Sequence, residues 1–440
     1  MFKTMLSDKI KNFIFAFLLI LPTYYMVPHF LFIFPLLFLI LFYEIDVYKV
    51  IKNIGKKNII LLITIFILMS INYYVLGYDK IDSIKQYIPY FIGYILVVFY
   101  AFFINEEVKK YLIGLIFVEA LFVLLESILG INTIFTFHPD FRNDLLNMNI
   151  YSARPFGLSS GIITCSYKLF IGLLLLHSLK FKNSFFEFIE IIILWAILVN
   201  FSRSIILGTV FFIFLWSVKQ ENRKYLWIII SIFILNILFH FLALKSLFDL
   251  LNTDIGLFKI IVKLIIMLAY YFIESYLIFK IYLLIKNKRI LFSIILFLIG
   301  VMFLFPKLGL IGSTTQDVIG RTTQDVMSYR DIIFKEAFKE VKDHPIVGNN
   351  SHKFYVYLPA YKKYEHLHNS FLEILANNGF IIFILYLILI VLNTRKNNYR
   401  FIFPIFVVSL TQYFIFWGIS FVDIIFIYLL IFYKKRIKVG

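Results

Sequence analysis

A short polar segment near the carboxyl end of the chain holds the residues best suited to chemistry. Residues 366–373 read HLHNSFLE, and a long apolar run begins within this segment and continues beyond it. A neutral imidazole can take a proton from a hydroxyl group, and the dipole of a helix keeps a histidine at its amino end neutral. The segment therefore predicts a general base, His368, that acts on an acceptor hydroxyl at a membrane surface.

Arginines elsewhere in the chain are suited to binding an anion such as a diphosphate, because the planar guanidinium forms paired hydrogen bonds with phosphate oxygens. Arg203 lies in the short polar turn 200–204 between two apolar runs, and Arg330 lies in the first turn of a predicted helix. The helix dipole disfavours a cation there, which suggests that Arg330 is placed for a ligand. The residues expected to assist are Arg154, Arg321, Asn369 and His366.

The arginines also have ordinary structural interpretations. Arg203 could extend from the end of its helix to the lipid headgroups without any catalytic role. Arg330 could pair with Asp331 or Glu336 on a solvated helix face. These alternatives stay open at the level of sequence.

The histidines have alternatives of their own. His368 could simply be an interfacial residue, and His366 and His368 could join His352 or Glu365 in a zinc site. A His-x-His pair alone is not specific for zinc, however. No acidic cluster in the loop has the spacing of a magnesium site. We therefore expect neither a metal ion nor a cofactor.

The elements that must position these residues are membrane helices. The chain is 61% hydrophobic with a mean hydropathy of +0.89, and apolar stretches of about 20 residues recur along its whole length. Such runs are too long and too uniformly apolar for the strands of a membrane barrel. Cys165 is the one cysteine in the sequence, which excludes an intramolecular disulfide. The composition predicts an all-α polytopic bundle.

The net charge of +17 is explained by topology and does not require a nucleic-acid partner. Eight short segments between the apolar runs hold 24 of the 43 lysines and arginines in 63 residues. This is the bias of loops that stay on the cytoplasmic side. It predicts about fourteen spans, with twelve or thirteen as alternatives, and both termini in the cytoplasm.

The predicted spans divide the chain into three parts. Residues 1–306 form an amino-terminal bundle, 307–369 an external loop, and 370–440 the carboxyl-terminal spans. The loop is by far the longest and holds four of the eight histidines, which is typical of a functional loop. Glu119, the deepest ionisable residue in the predicted spans, has no explanation in the sequence.

Two helices are predicted around the external loop. The first runs from Ser328 to Val341, with an apolar face of Ile333, Ala337, Phe338 and Val341, and ends at the His344-Pro345 dipeptide. The second begins near His368 and breaks at 377–379, where the sequence is Asn-Asn-Gly. The loop should therefore be a partly helical cap rather than a tether.

Several short motifs, in this order along the chain, resemble the O-antigen ligase/polymerase superfamily, which includes the Wzy polymerases. The motifs are RPFGL at 154–158, FSRS at 201–204, RDIIF at 330–334, DHPIVG at 343–348, and the His-Asn pair at 368–369 followed by Gly379. The family's pattern places a second glycine where this chain has Ile382. The resemblance covers roughly residues 150–395.

The resemblance implies a metal-independent membrane glycosyltransferase that polymerises undecaprenyl-diphosphate-linked repeat units into O-antigen or capsule. It would act on the outer face of the bacterial cytoplasmic membrane and invert the anomeric carbon. His368 would be the base, Arg203 and Arg330 the diphosphate clamp. A flippase and a chain-length regulator would be its pathway partners. Alternatives are an O-antigen ligase, which moves finished polymer to a lipid or protein acceptor, and a transporter of the same lipid-linked sugars.

Overall fold

A computed structural model describes residues 6–76, 93–129, 131, 133–136, 154–179, 184–218, 223–239, 257–285, 330–349, 354–358, 363–416 and 420–433. Within these ranges the protein is almost entirely helical, which confirms the predicted all-α membrane fold. Arg321 and His352 lie outside the described residues, as does the predicted span at 290–306.

The helices follow one another with short connections. They are α1 (Asp8–Ile20), α2 (Phe34–Phe42), α3 (Val47–Ile54), α4 (Lys56–Leu76), α5 (Gly93–Phe103), α6 (Glu106–Leu129), α7 (Ile162–Ser178), α8 (Ser184–Asn200), α9 (Arg203–Ser217), α10 (Arg223–Phe239), α11 (Leu257–Ile285), α12 (Arg330–Asp343), α13 (Ser370–Asn393), α14 (Tyr399–Thr411) and α15 (Phe421–Ile427). Short 3₁₀ turns lie at Leu21–Thr23, His29–Ile33 and Ile134–Thr136, and a π-helical turn at Tyr428–Phe432 follows α15.

Three helices of the described part are long and apolar enough to cross a membrane: α6, α13 and Leu264–Leu283 within α11. A fourth arises if α3 and the first part of α4, which meet at 94°, count as one broken span. Shorter apolar helices of 10–17 residues occupy further predicted spans, including α7, α9 and α14. The predicted total of about fourteen spans stays a prediction.

The described chain groups into two compact units. Unit 1 comprises 1–19, 30–105 and 327–440, and unit 2 comprises 20–29 and 106–326. The sequence predicts a different kind of division, at residues 306 and 369, which separates membrane spans from the external loop. The grouping into two compact units does not test that division.

In unit 1, α13 is the central element and packs against α4, α12 and α14. Near one end of α4, Asn58 and Asn393 exchange amide hydrogen bonds of 2.9 and 2.8 Å. Towards the other end, Tyr386 of α13 contacts the sulfur of Met69. The polar pairs fix the register of two otherwise apolar helices, since hydrophobic contacts alone are non-directional.

Unit 1 also contains an antiparallel hairpin, β1 (Tyr355–Leu358) and β2 (Lys363–His366), with Tyr355 opposite His366. The hairpin shares a small core with α12 and α13, built on Ile333, Ala337, Phe354, Val356, Leu367, Leu372 and Ala376. The sequence prediction of a partly helical cap is thus correct for α12, but it missed the two strands.

The prediction for the apolar face of α12 is wrong at one residue, Phe338. Ile333 and Ala337 are fully buried, whereas the Phe338 side chain is 59% exposed. The helix begins at Arg330 in the described residues and ends just before His344, as predicted. At 3.6 residues per turn, Phe338 lies about 100° from Ala337 and therefore outside a narrow buried stripe.

In unit 2, α6, α7 and α8 pack together, and α8, α9 and α10 pack on α11. A buried carboxylate, Glu190 of α8, joins three of these helices. It accepts one hydrogen bond from the Tyr276 hydroxyl at 2.9 Å and pairs with Lys280 at 2.9 Å and with the His177 ring at 2.9 Å. This connection replaces hydration that buried charges lose, and fixes the helices relative to one another.

Candidate functional site

Two of the motifs meet at a break in α13. Gly379, at φ 75° and ψ −179°, interrupts the helical dihedral angles of α13, and Gly348 ends the HPxxG turn at φ 67°. The turn and the break are joined backbone to backbone. Asn349 donates to the Ala376 carbonyl at 2.8 Å, and Phe380 donates to the Pro345 carbonyl at 2.8 Å. Residues 344–348 and 376–380 therefore form one structure.

Glycine is required at both positions because the backbones approach so closely. A Cβ on Gly379 would overlap the carbonyl group of Ile346, and a Cβ on Gly348 would overlap the backbone of Asn377. Both residues also have positive φ angles, which L side chains rarely adopt. The spacing of these two glycines is thus explained by the junction that they form.

Asn72 of α4 connects this junction to a neighbouring helix. Its amide nitrogen lies 3.3 Å from the Val347 carbonyl and 3.2 Å from the Asn378 carbonyl, and the side chain is buried. The break in α13 frees backbone carbonyls that an unbroken helix would use, so an amide donor compensates for the lost partners. A polar residue within an apolar run is the sequence signal for this contact, and no role was predicted for Asn72.

His368 lies directly before the amino end of α13. Leu367 is fully buried in the small core, and the rings of His366 and His368, on either side of it in sequence, are half-buried with centroids 4.6 Å apart. The structure thus brings together the two predicted histidines. Opposite His366, burial raises the pKa of Tyr355, with a further contribution from the Glu373 charge, so its phenol stays protonated at neutral pH.

Asn369 is the amino-terminal cap of α13. Its Oδ1 accepts hydrogen bonds from the amides of Phe371 at 3.0 Å and Leu372 at 2.9 Å, and its Nδ2 donates to the Leu410 carbonyl at 2.8 Å. A cap of this kind satisfies amides that the helix leaves without partners. The structure supports a positioning role for Asn369 through the helix start, and the predicted contact with substrate stays a prediction.

Two further residues of the HLHNSFLE segment hold neighbouring chain segments in place. The hydroxyl of Ser370 accepts from the amides of Phe414 at 2.7 Å and Ile415 at 3.1 Å. The Glu373 carboxylate accepts from the Phe354 amide at 2.6 Å, at the start of the hairpin that leads to His366. Neither residue has a predicted role of its own.

The predicted clamp residues lie in separate units. The described part of α12 begins at Arg330 in unit 1, and Arg203 is the first residue of α9 in unit 2. The dipole of a helix favours an anion at its amino end, so an arginine there and the helix dipole can act on the same anion. Arg203 is half-buried, and the cap position before it, Ser202, makes no side-chain capping hydrogen bond.

Arg154 contacts the same turn of unit 2. Its Nη1 donates to the Phe201 carbonyl at 3.0 Å, and Asn200 donates to the Pro155 carbonyl at 2.8 Å. Phe201, buried and at φ 52°, forms the bend that leads into α9. The structure therefore brings together the two predicted arginine motifs of unit 2.

Buried carboxylates of α6 hold the segment that carries Arg154. Glu126 accepts hydrogen bonds from the amides of Gly157 at 2.7 Å and Ile134 at 3.0 Å. Glu119 binds the hydroxyl of Ser159 and forms an ion pair with Lys168 of α7. The side chains of Glu119, Glu126, Ser159 and Lys168 are all buried. Glu119, which the sequence left unexplained, is thus part of the support for the 154–160 segment.

This support gives a stability prediction. Replacing Lys168 with methionine should destabilise the protein by about 3–5 kcal/mol, because it leaves the buried Glu119 carboxylate without its cation. Replacing Glu119 with glutamine as well should recover most of that loss, since no buried charge then remains. Thermal unfolding of the purified variants in detergent measures both changes. Equal destabilisation in the single and double variants would contradict the ion-pair account.

The part of the chain that the structure describes contains no candidate metal site. No three histidine, cysteine, aspartate or glutamate side chains are grouped there closely enough to hold an ion. His352, one of the zinc ligands considered in the sequence, lies outside that part. The expected absence of a metal in the reaction stays a prediction.

Comparison with protein-family models matches residues 260–387 to the O-antigen ligase family. The match includes Arg321, Arg330, His366, His368 and Asn369, whereas Arg154 and Arg203 precede it. Comparisons with curated proteins and with solved structures give no match. The matched region contains the turn and the broken helix that form the junction around Gly348 and Gly379. The match over residues 260–387 therefore confirms, for that part of this helical membrane protein, the predicted resemblance to the O-antigen ligase/polymerase superfamily.

Proposed function

We propose that the protein is a polysaccharide polymerase. It joins undecaprenyl-diphosphate-linked repeat units into O-antigen or capsular polysaccharide on the outer face of the bacterial cytoplasmic membrane. The observation that carries this proposal is the junction of residues 344–348 with the break in α13, inside the family match. The junction holds the helix whose amino end presents His368.

The proposed reaction needs no group beyond the side chains already named. The His368 imidazole takes the proton of a hydroxyl on the acceptor unit, and that oxygen attacks the anomeric carbon of the donor glycan. A new glycosidic bond forms, and the bond to the donor diphosphate breaks with its electron pair passing to the diphosphate. A base in this position typically contributes about 10²–10⁴-fold to the rate.

The departing diphosphate requires cations. Arg203 and Arg330 are proposed for this role because a guanidinium forms paired hydrogen bonds with phosphate oxygens, and Arg203 lies in the first turn of α9, where the helix dipole adds to the attraction for an anion. A lone arginine is disfavoured at this end of the helix dipole, and a bound anion removes that penalty. Arg154 and Arg321 are proposed as assisting cations, and His366 and Asn369 as groups near the acceptor.

A polymerase is proposed over a ligase because the chain has Ile382 where the resemblance expects a second glycine. Ile382 is buried, in helical backbone beyond the break of α13. A glycine at this position would let another backbone segment approach the helix closely. The buried isoleucine side chain fills that space instead. The ligase, which shares the donor chemistry, remains the second candidate through the family match itself.

The test is reconstitution of the full-length protein in vesicles with purified undecaprenyl-diphosphate-linked repeat units. We expect a ladder of polymers without any other acceptor, and the same ladder in the presence of EDTA, because the arginines replace a metal. Transfer that occurs only after a lipid acceptor is added would identify a ligase. Loss of the ladder with EDTA would contradict the metal-independent mechanism.

Arginine variants in the same assay test the proposed diphosphate clamp. Arg203→Lys and Arg330→Lys keep the charge but lose the paired hydrogen bonds, so each should lower the rate while the variant still inserts normally. Arg395, which lies beyond the carboxyl end of α13, provides the matched control as Arg395→Lys. A wild-type rate in both Arg203→Lys and Arg330→Lys would contradict the proposed clamp.

A further inference from the structure

Helix α3 has a surface that the proposed reaction does not use. At about 100° per residue, its apolar side chains cover one continuous side of the helix. Val50 and Ile54 are 6% and 8% exposed and face the protein, whereas Val47, Tyr48 and Ile51 are 60%, 73% and 48% exposed. Half of the apolar side is therefore buried against unit 1 and the adjoining half is open.

The opposite side of α3 is basic. Lys49 and Lys52 lie there and are exposed, and Lys56 and Lys57 follow directly at the start of α4, also exposed. Asp46 precedes the helix as its cap, with its carboxylate accepting the Lys49 amide at 3.0 Å. Helix α3 itself has no acidic residue. The surface next to the open apolar side is thus complementary to anions.

The orientation of α3 explains this division. The helix meets α4 at 94°, and Gly55 at φ 86° forms the bend between them. Because α4 is apolar over most of its length and reads as a span, a helix perpendicular to it runs parallel to the membrane plane. In that orientation, one side of a helix faces acyl chains and the other faces headgroups.

We propose that α3 is an interfacial helix that binds anionic phospholipids of the leaflet next to it. Val47, Tyr48 and Ile51 insert among the acyl chains. Lys49 and Lys52 bind the phosphodiester headgroups, and Lys56 and Lys57 extend the basic surface. This interaction anchors the end of α4. It is independent of the polymerase reaction and of the residues proposed for it.

The depth of α3 can be measured with spin labels because the chain has one native cysteine, Cys165. In a Cys165→Ala background, labels are placed through Tyr48→Cys and Lys52→Cys, and the protein is reconstituted in vesicles containing phosphatidylglycerol. We expect membrane-soluble oxygen to relax the label at position 48 and an aqueous nickel chelate to relax the label at position 52. Equal access of the nickel chelate to both positions would overturn the proposal.

The charge preference is measured separately by native mass spectrometry of lipids bound to the purified protein. The double variant Lys49→Gln/Lys52→Gln should lower the binding of phosphatidylglycerol relative to phosphatidylcholine by about fivefold for each lysine removed. The control is Lys335→Gln/Lys339→Gln, which removes two exposed lysines from α12. An equal fall in the two double variants, or no fall in either, would contradict a specific lipid site at α3.

Discussion

Cells whose sole copy of the protein carries His368→Ala should accumulate lipid-linked single repeat units and show no polymer ladder. Loss of a general base reduces a rate by about 10²–10⁴-fold, which is enough to remove long products. The substitution should leave the helix start intact, because the cap of α13 is the Asn369 side chain and the packing residue is Leu367. The measurement is the glycan profile of cells in which membrane insertion of the variant has been confirmed.

The matched control is His344→Ala, which removes an exposed ring from the predicted external loop, keeps the backbone of the HPxxG turn, and should leave the ladder unchanged. His366→Ala should have a smaller effect than His368→Ala, because its proposed role is contact with substrate. Long polymer stranded on its lipid carrier in His368→Ala cells would instead identify a ligase. A ladder of wild-type length and amount would contradict the catalytic proposal and favour the transporter alternative.

The helical part of the candidate site could be predicted because its signals are local. A dipeptide such as His344-Pro345 ends a helix by sterics within one residue, and an Asn-Asn-Gly sequence marks a break. The apolar spacing of α12 and the start of α13 required no knowledge of distant residues. The structure confirms the end of α12 just before His344 and the break of α13 at Gly379.

The contacts that support the site could not be predicted because they join residues far apart in sequence. Asn72 and Asn378 are separated by 306 positions, and Glu119 and Ser159 by 40. A lone asparagine or glutamate in an apolar run indicates that a partner exists, without indicating which one. The hairpin at 355–366 was missed for another reason, since strands of four residues give too few alternations to stand out.

The roles of Ser370 and Glu373 show a further limit of sequence reasoning. Both lie in the segment that predicted the catalytic base, and chemistry alone could have given either one a role at the site. In the structure their side chains bind backbone amides of 414–415 and of Phe354. A motif thus combines residues that act on substrate with residues that hold the motif in place, and partner geometry is needed to separate them.

Gly379→Ala should abolish activity and destabilise the protein by at least about 3 kcal/mol. Backbone strain at its dihedral angles, φ 75° and ψ −179°, accounts for about 1–3 kcal/mol of this. The remainder comes from overlap of the new Cβ with the Ile346 carbonyl, which is backbone and can move only with the whole HPxxG turn. The thermal midpoint in detergent and the polymer ladder measure the two effects.

Gly114→Ala provides the matched control, because no heavy atom outside its own helix lies within 4 Å of the new Cβ. In the middle of α6 this change should leave the ladder unchanged and stabilise the helix by up to about 1 kcal/mol. Gly348→Ala tests the other half of the junction and should resemble Gly379→Ala, since its Cβ meets the Asn377 backbone. If Gly379→Ala matched the wild type in both stability and ladder, the junction could not be what holds His368 in place.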